Sequence, residues 1–509
     1  MKKLLSLLIA ITMVLSVSAV LAVCVSAQTE PWDGKDTSYD VNFAGTGTEE
    51  DPFLISTPEE MKGLQYNVNY LETNYSGQYL KLTDDINMGG HPFEAIGTNT
   101  AFEGIFDGNG KTVFNFTIEG KYGGLFGVIK NSAVVKNLKV DYANIATDTI
   151  RAGGISAYPQ AESTVENCVV GKNVVVTNTE TACDPILGGI VGQITNSTVK
   201  NCVSYASVVL NVPNEDAYAG GIAGAPGKSS VIENVISYAN VLSEVANKTE
   251  GYYVRVGGIV GSAGSGNLDF TLTNAINYGS AKALGADGYA GGICGYANAV
   301  KNADICGTFK NVFNASTEIL GNGGTGMFAG HFAKPVALVE GSTIKLMQTE
   351  TMSSFAGIVA DGLEVPGTGF TPASSALDFE IDEDVKAIHA AIDAALPEFA
   401  EVIDIDYDPS KDTTPETTTP VEPEDTGDEP VDTGDEPVDT GDKPVDTGDA
   451  PVDSGNDPEP TTPVTNPITP ETDPETEKPA EGGCGSVVAG GLAILAVVTL
   501  AGVALKKKD

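Results

Sequence analysis

Apolar and polar residues alternate in short bursts along most of this chain, and the bursts restart at asparagine. In Val135-Lys136-Asn137-Leu138-Lys139-Val140 the pattern runs in-out, breaks at Asn137, then runs in-out-in. Two-residue alternation is the mark of a strand with one buried face. Asparagine tolerates left-handed backbone at a bend, so each break reads as a corner between short strands. The apolar-x-Asn signature returns at Val165-Glu-Asn167, Val199-Lys-Asn201, Ile232-Glu-Asn234 and Val300-Lys-Asn302. β-prone stretches such as Val174–Val176 and Val208–Leu210 follow it.

Each burst belongs to a larger unit headed by Gly-Gly-(Ile/Leu)-x-Gly, at Gly123, Gly188, Gly220, Gly257 and Gly291. A variant starts at Gly153 and a degenerate copy at Gly326, giving spacings of 30, 35, 32, 37, 34 and 35 residues. A fixed period of this size denotes a stacked repeat. The units are rich in Gly, Val, Asn and Thr and lack a 3.6-residue apolar period, which excludes helical repeats. The hairpin signals of a propeller blade are also missing. Three short strands per unit, with Gly or Asn at the bends, predict one coil of a parallel β-helix. The expected fold is therefore all-β, a right-handed parallel β-helix with short capping helices at both ends. Gln78–Asn87 and Phe102–Val113 read as earlier coils.

Two segments break the β pattern. Thr57-Pro58-Glu59-Glu60 is a capping box with proline at the first helical position, and Met61, Leu64, Val68 and Leu71 then share one face. Asp382 to Leu396 aligns Val385, Ile388, Ile392 and Leu396 and stops at Pro397. Both helices suit closing the open ends of the stack, where unpaired strands would otherwise invite aggregation.

The termini add an address. Lys2 and Lys3 precede an apolar run from Leu4 to Val23, with small residues at Val25-Ser26-Ala27, so a signal peptide cleaved after Ala27 is expected. A lipobox ending at Cys24 is the competing reading, and the bulky Val23 argues against it. Val487 to Leu505 is uncharged and, at ~1.5 Å per residue, would span roughly 28 Å, enough for a bilayer core. Lys506 to Lys508 follow it, which predicts a single pass with the C-terminus cytoplasmic. Gly482-Gly483-Cys484 stands just before this span, and no LPxTG-type motif is present. Residues 408–483 are rich in Pro, Thr, Asp and Glu and repeat the heptapeptide that begins at Thr426, Thr433, Thr440 and Thr447. Such a segment cannot offset its ordering entropy and reads as a disordered, extended stalk. The resulting division is signal peptide 1–27, N-terminal segment with helix 28–76, β-helix 77–335, C-terminal cap region 336–407, stalk 408–483 and anchor 484–509.

Charge narrows the partners. With 69 Asp+Glu against 28 Lys+Arg the net charge is −41, which repels nucleic acid and excludes it as a partner. Seven cysteines in 509 residues do not make a disulfide scaffold. Cys168 and Cys202 fall inward at equivalent positions of consecutive coils. Parallel Cβ vectors would strain a bridge between them, so buried free thiols are expected.

The ordered motifs carry a resemblance. Gly45–Ser56, the capped helix, Leu82-Thr-Asp-Asp-Ile86, Phe102–Lys111 and the Gly-Gly-Ile units together resemble GLUG-motif bacterial surface proteins over about residues 43–330. That resemblance implies a right-handed β-helix of the kind found in adhesins and in stalks of surface proteases. It does not imply one activity.

Chemistry is thinly represented. β-Helices also carry pectate-lyase-type enzymes, which need clustered carboxylates and a basic residue. Asp84, Asp85 and Asp107 form the best carboxylate cluster, and turn chemistry is the better explanation of it. Arg151 and Arg255 stand at matching repeat positions and read as periodic. His91, His331 and His389 have no zinc spacing. Asp107-Gly-Asn-Gly110 lacks the downstream Glu of a calcium loop, so no cofactor is expected and Ca²⁺ has only the weak support of the acidic repeats.

The candidate binding residues are tyrosines. Tyr205, Tyr238 and Tyr278 each fall four residues after a repeat asparagine, and Tyr142 falls five after Asn137. Stacked coils would align them in one column, interrupted at Gly171 and Lys172. Tyr218 and Tyr289 form a sparser set, two residues before Gly-Gly. An exposed aromatic row suits sugar rings or protein partners, although mutual stacking that only stabilises the coils is the better explanation of it. The expected function is adhesion to an extracellular glycan or protein. The alternatives are a polysaccharide lyase or hydrolase on the same fold, and a passive spacer.

Overall fold

The computed structural model describes residues 30–399, apart from 180–183, 213–214, 244–252, 264–269, 286, 299–304 and 361. The segments expected as signal peptide, stalk and anchor lie outside the described residues. Among those described, no helix is long and apolar enough to cross a membrane.

One coil shows the construction of all. Its strands are Val191–Ile194, Thr198–Ser204, Ser207–Leu210 and Ala217–Gly220. Each pairs in parallel with its counterpart one coil on: Val191 with Ala223, Val199 with Ile232, Val208 with Val241 and Gly220 with Gly257. The coil therefore has four strands where three were expected, because the Gly-Gly segment forms strands on both sides of its corner. Among the described residues every strand ladder is parallel and no hairpin joins neighbouring repeats. The strands assemble into three sheets, of 19, 7 and 8 strands. One antiparallel bridge, Ala44 with Leu54, guards the outer edge of the first strand, Phe53–Ile55.

The asparagine corners are left-handed. Asn137, Asn167, Asn201, Asn234, Asn274 and Asn311 have φ between 51° and 55°. Phe309-Lys-Asn311, and not Val300-Lys-Asn302, supplies the last corner, since Phe309 pairs with Leu272. Asn302 lies outside the described residues.

The Gly-Gly corners have a different cause. A Cβ on Gly220 would lie 2.1 Å from the Ala223 carbonyl oxygen, and one on Gly221 would lie 2.1 Å from Ser237 Oγ. Neither glycine has positive φ. The requirement is space, because two sheets approach backbone to backbone there. The next residue of the motif points into the core: Ile155, Ile190, Ile222, Ile259 and Ile293 are all fully buried. Cys168 and Cys202 also face inward, buried and unpaired. Burial pushes the Cys168 thiol well above its ordinary range. Cys294 and Cys306 are likewise buried and unpaired.

Helix α1 covers Pro58–Asn69 and carries the expected capping box, with Glu60 N–H donating to Thr57 Oγ1 at 3.2 Å. Met61, Leu64 and Val68 are fully buried. Leu71 is not on that face: the helix has ended by Asn69 and Leu71 is 55% exposed.

The C-terminal helices are α2, Leu377–Glu380, and α3, Glu383–Ala395. The expectation that the second amphipathic helix closes the end of the stack is corrected. α3 packs along the flank, across Thr198–Ser204, Val231–Ser237 and Thr271–Asn277. The reason is a column of apolar residues on the outer side of those strands. Val203, Ile236, Ile276 and Phe313 are in register and would face water, yet all are buried. Val385, Ile388 and Ile392 of α3 are the buried residues opposite them. Thirteen residues at ~1.5 Å each make a helix of roughly 20 Å, enough to cross about four strands spaced ~4.8 Å. Lys345 pairs with Asp382, and Thr343 Oγ1 bonds Asp384, pinning the start of α3 to the coil beyond Phe313.

Candidate functional site

Three of the four predicted tyrosines are brought together. Tyr205, Tyr238 and Tyr278 directly follow equivalent strands, and their backbone N–H groups donate to Val170, Ser204 and Ser237 at 2.8 Å each. This ladder carries the rings into a stack. Tyr205 and Tyr238 have centroids 4.9 Å apart with planes 3° from parallel, and Tyr238 and Tyr278 are 5.2 Å apart at 12°. The spacing is that of neighbouring strands.

The fourth tyrosine is out of line. Val140, Val170 and Ser204 are in register, so the places beside Tyr205 belong to Asp141 and Gly171. Tyr142 sits one residue further on, with φ of 46°. A Cβ on Gly171 would lie 2.2 Å from Asp141 Cγ, so the Asp141 carboxylate has taken the space a side chain would fill. Lys139 pairs with that carboxylate at 3.2 Å. At the other end, Tyr278 Oη lies 3.1 Å from His389 Nε2 of α3.

Ring stacking decides what the column can offer. Both faces of Tyr238 are covered by its neighbours, leaving its edge and hydroxyl outward. Tyr205 ends the stack, next to the coil of Gly171. Tyr205 is 43% exposed and Tyr238 37%. Burial, with Tyr205 and Tyr278 alongside, pushes Tyr238 up to about 12. The phenol therefore stays protonated at neutral pH and acts as a hydrogen-bond donor and acceptor.

The second periodic set is built around a buried cation. Arg151, Ile186, Tyr218, Arg255 and Tyr289 are in register, as the matching repeat positions implied. Arg255 Nη1 donates to Tyr218 Oη at 3.1 Å and lies 3.4 Å from Asp216 Oδ2. Its guanidinium stands 4.1 Å from the Tyr296 ring centre and 4.9 Å from that of Tyr253. Aromatic faces replace the lost hydration of this cation. His331 packs 4.9 Å from Tyr296, and burial together with Arg255 lowers its pKa to about 4.

The carboxylates accept hydrogen bonds both locally and from the next coil. Asp84 Oδ2 accepts the Thr83 hydroxyl at 2.9 Å and Asp85 Oδ1 the Thr112 N–H at 2.7 Å. Asp107 Oδ1 accepts from Asn109 N–H at 2.8 Å and Asn137 Nδ2 at 2.9 Å. Asp107 also lines a cavity of about 320 Å³ with Glu49, Glu50, Tyr79, Lys81 and Lys136. Among the described residues no three His, Cys, Asp or Glu side chains converge as metal ligands. His91, His331 and His389 lie in separate surroundings, against Trp32, Tyr296 and Tyr278.

Sequence reasoning passed over one concave feature, a cleft of about 490 Å³ beside α1. Its only sequence signal is Tyr66 and Tyr70, four apart on the polar side of a helix read simply as a cap.

The fold and its surface define a repetitive, stacked all-β protein with an aromatic column on one flank. No family model matches the chain. Over 110 residues it is 38% identical to a "Putative Gly-rich membrane protein" of Evansella cellulosilytica, which covers 20% of this chain and 12% of that protein. Over 178 residues it is 30% identical to halomucin of Haloquadratum walsbyi, covering 32% of this chain and 2% of that one. The chain thus spans a small share of the curated relatives it matches. A crystal structure of a "putative immunoglobulin A1 protease" from Bacteroides ovatus aligns with 62% of this chain and 86% of its own, at 21% identity and a TM-score of 0.42.

Proposed function

We propose that this chain is a surface-displayed, right-handed β-helical interaction protein of the GLUG-motif kind, held at the membrane by its C-terminal segment. Its tyrosine column is the binding edge for an extracellular glycan or partner protein. The observation that carries this reading is the exposed pair Tyr205 and Tyr238, kept in a rigid stack by the coil ladder. Rigid aromatic side chains with polar tips lose little entropy on binding. A ligand meets the hydroxyls and ring edges of the column. The names of the two relatives, a Gly-rich membrane protein and halomucin, are in keeping with a place at the cell surface. For the lyase or hydrolase alternative the candidate carboxylates Asp84, Asp85 and Asp107 accept hydrogen bonds from Thr83, Thr112, Asn109 and Asn137.

A glycan and protein array probed with the secreted chain tests the proposal. Tyr205→Ala combined with Tyr238→Ala should abolish binding to whichever probe is captured, with little shift in thermal unfolding. A large loss of stability with binding per folded molecule unchanged would reduce the column to a structural role. Shortened glycan products in the same samples would favour the enzyme.

A further inference from the structure

The cleft beside α1 has the composition of a small-molecule site and lies apart from the tyrosine column. At about 490 Å³ it falls within the ~300–1,000 Å³ range of ligand pockets. Lys62, Tyr66, Tyr70, Phe93, Glu94 and Glu119 line it, with Asp36 at the rim.

Lys62 is the unusual member. Its side chain is 8% exposed, and its ammonium faces the Trp32 ring at 5.3 Å and the Phe93 ring at 6.0 Å. Among the described residues its ammonium makes one hydrogen bond, a long 3.4 Å contact to Asp36, whose own side chain is 94% exposed. An ammonium has three donors, and burying it this deeply with one weak acceptor is costly. The group is thus under-satisfied and lines an open cleft.

The wall beside it is aromatic. Tyr66 stacks on Tyr39 at 4.4 Å and 15°, and Tyr70 leans on Tyr66 at 5.4 Å. Tyr70 is 56% exposed. Its hydroxyl donates to Glu94 Oε2 at 2.7 Å, and Glu94 is held in turn by Gln65 at 2.8 Å and Thr98 at 2.7 Å. The platform is therefore anchored before any ligand arrives.

Charge selects the ligand. Asp36, Glu94 and Glu119 outnumber Lys62 in a protein of net charge −41, so an anion is repelled. A cation drawn by these carboxylates would share the cleft with the Lys62 ammonium and leave it still short of acceptors. A neutral polyhydroxylated ring meets both demands, because its hydroxyls accept from the ammonium and donate to the carboxylates while one face lies on Tyr70. We propose that this cleft is a binding site for a neutral pyranose sugar, oriented by Lys62 and stacked on Tyr70.

The chain carries its own reporter. Trp32 is the sole tryptophan in the sequence and lies against Lys62. The full chain is titrated with galactose, glucose, N-acetylglucosamine and galacturonate while tryptophan emission is followed, with calorimetry in parallel. At least one neutral sugar should give a saturable change, and galacturonate should bind more weakly. Tyr70→Ala, at an exposed site that leaves the fold intact, should weaken binding about tenfold or more. Lys62→Met should do the same by calorimetry. The Tyr205→Ala, Tyr238→Ala double variant should leave this response unchanged, so the two sites succeed or fail separately. No saturable response to any neutral sugar, tighter binding of galacturonate, or an unaltered response in Tyr70→Ala would each overturn the proposal.

Discussion

The carboxylate of Asp107 accepts the side-chain N–H of Asn137 at 2.9 Å, and this pairing sets the direction of a whole column of amides. Asn167, Asn201, Asn234, Asn274 and Asn311 each donate Nδ2 to the preceding Oδ1 at 2.8–3.0 Å. Asn311 Oδ1 in turn accepts the Thr343 backbone N–H at 3.2 Å. An acceptor-only group closes one end and a backbone donor the other, so every amide between them is satisfied in a single sense.

Asn201→Ala should therefore be costly. It removes two side-chain hydrogen bonds, worth about 1 kcal/mol each, and loses at φ 53° the local polar contacts by which asparagine tolerates left-handed backbone, worth up to a further ~1 kcal/mol. A loss of about 3 kcal/mol by urea denaturation is expected. Asn201→Gly keeps the backbone conformation and should lose roughly 1 kcal/mol less. Equal losses in the two variants would show that the left-handed corner contributes nothing.

The Gly-Gly corner gives a second test. In Gly221→Ala the new methyl would meet Ser237 Oγ at 2.1 Å and the Gly258 carbonyl at 2.3 Å. Forcing these apart should cost at least ~1–3 kcal/mol, the usual range for overpacking. Gly367→Ala, where a Cβ meets nothing within 4 Å, should leave the unfolding midpoint in place. Similar behaviour of both variants would contradict the close approach of the two sheets.

Truncating the flank helix should expose the column beneath it. Ile388→Ala removes a buried side chain of α3 and should cost about 2–4 kcal/mol for that packing. Ile388→Asp should go further and detach α3, uncovering Val203, Ile236, Ile276 and Phe313. The readout is stronger binding of a hydrophobic dye, with the β signal in circular dichroism retained. Loss of the β signal together with the helix would instead make α3 part of the folding core.

His331 supplies the pH dependence. Its folded pKa is lowered from 6.5 to about 4, by burial first and then by Arg255, amid Tyr253, Tyr289 and Tyr296. Between these values the unfolded chain binds the extra proton, so stability rises with pH. The contribution is fully present above pH 6.5 and is lost as pH falls toward 4. His331→Gln should flatten the melting temperature across that window relative to the parent chain. An unchanged slope would mean that His331 titrates normally in the folded state.

Local periodicity determined much of this protein in advance. The restart of alternation at Asn137, Asn167, Asn201 and Asn234 marked the corners, and counting from them placed Cys168 and Cys202 inside. The capping box at Thr57 marked the start of α1. These features are legible because strand alternation, helix capping and left-handed φ depend on neighbours in the chain, and a repeat copies them from coil to coil. Tertiary structure decided the rest. Register between separate coils kept Asp141, four residues after Asn137 as Tyr205 is after Asn201, in the place expected for Tyr142, and gave the last corner to Asn311. The glycines answer to a second sheet that only the wound chain brings within 3 Å of them. The amphipathic pattern of α3 stated that one face must be buried, but not where, because its partners at Val203, Ile236 and Ile276 lie more than a hundred residues earlier in sequence. The cleft at Lys62 arises in the same way: Trp32, α1 and Phe93 are ordinary core and cap residues until folding leaves an ammonium among them short of acceptors.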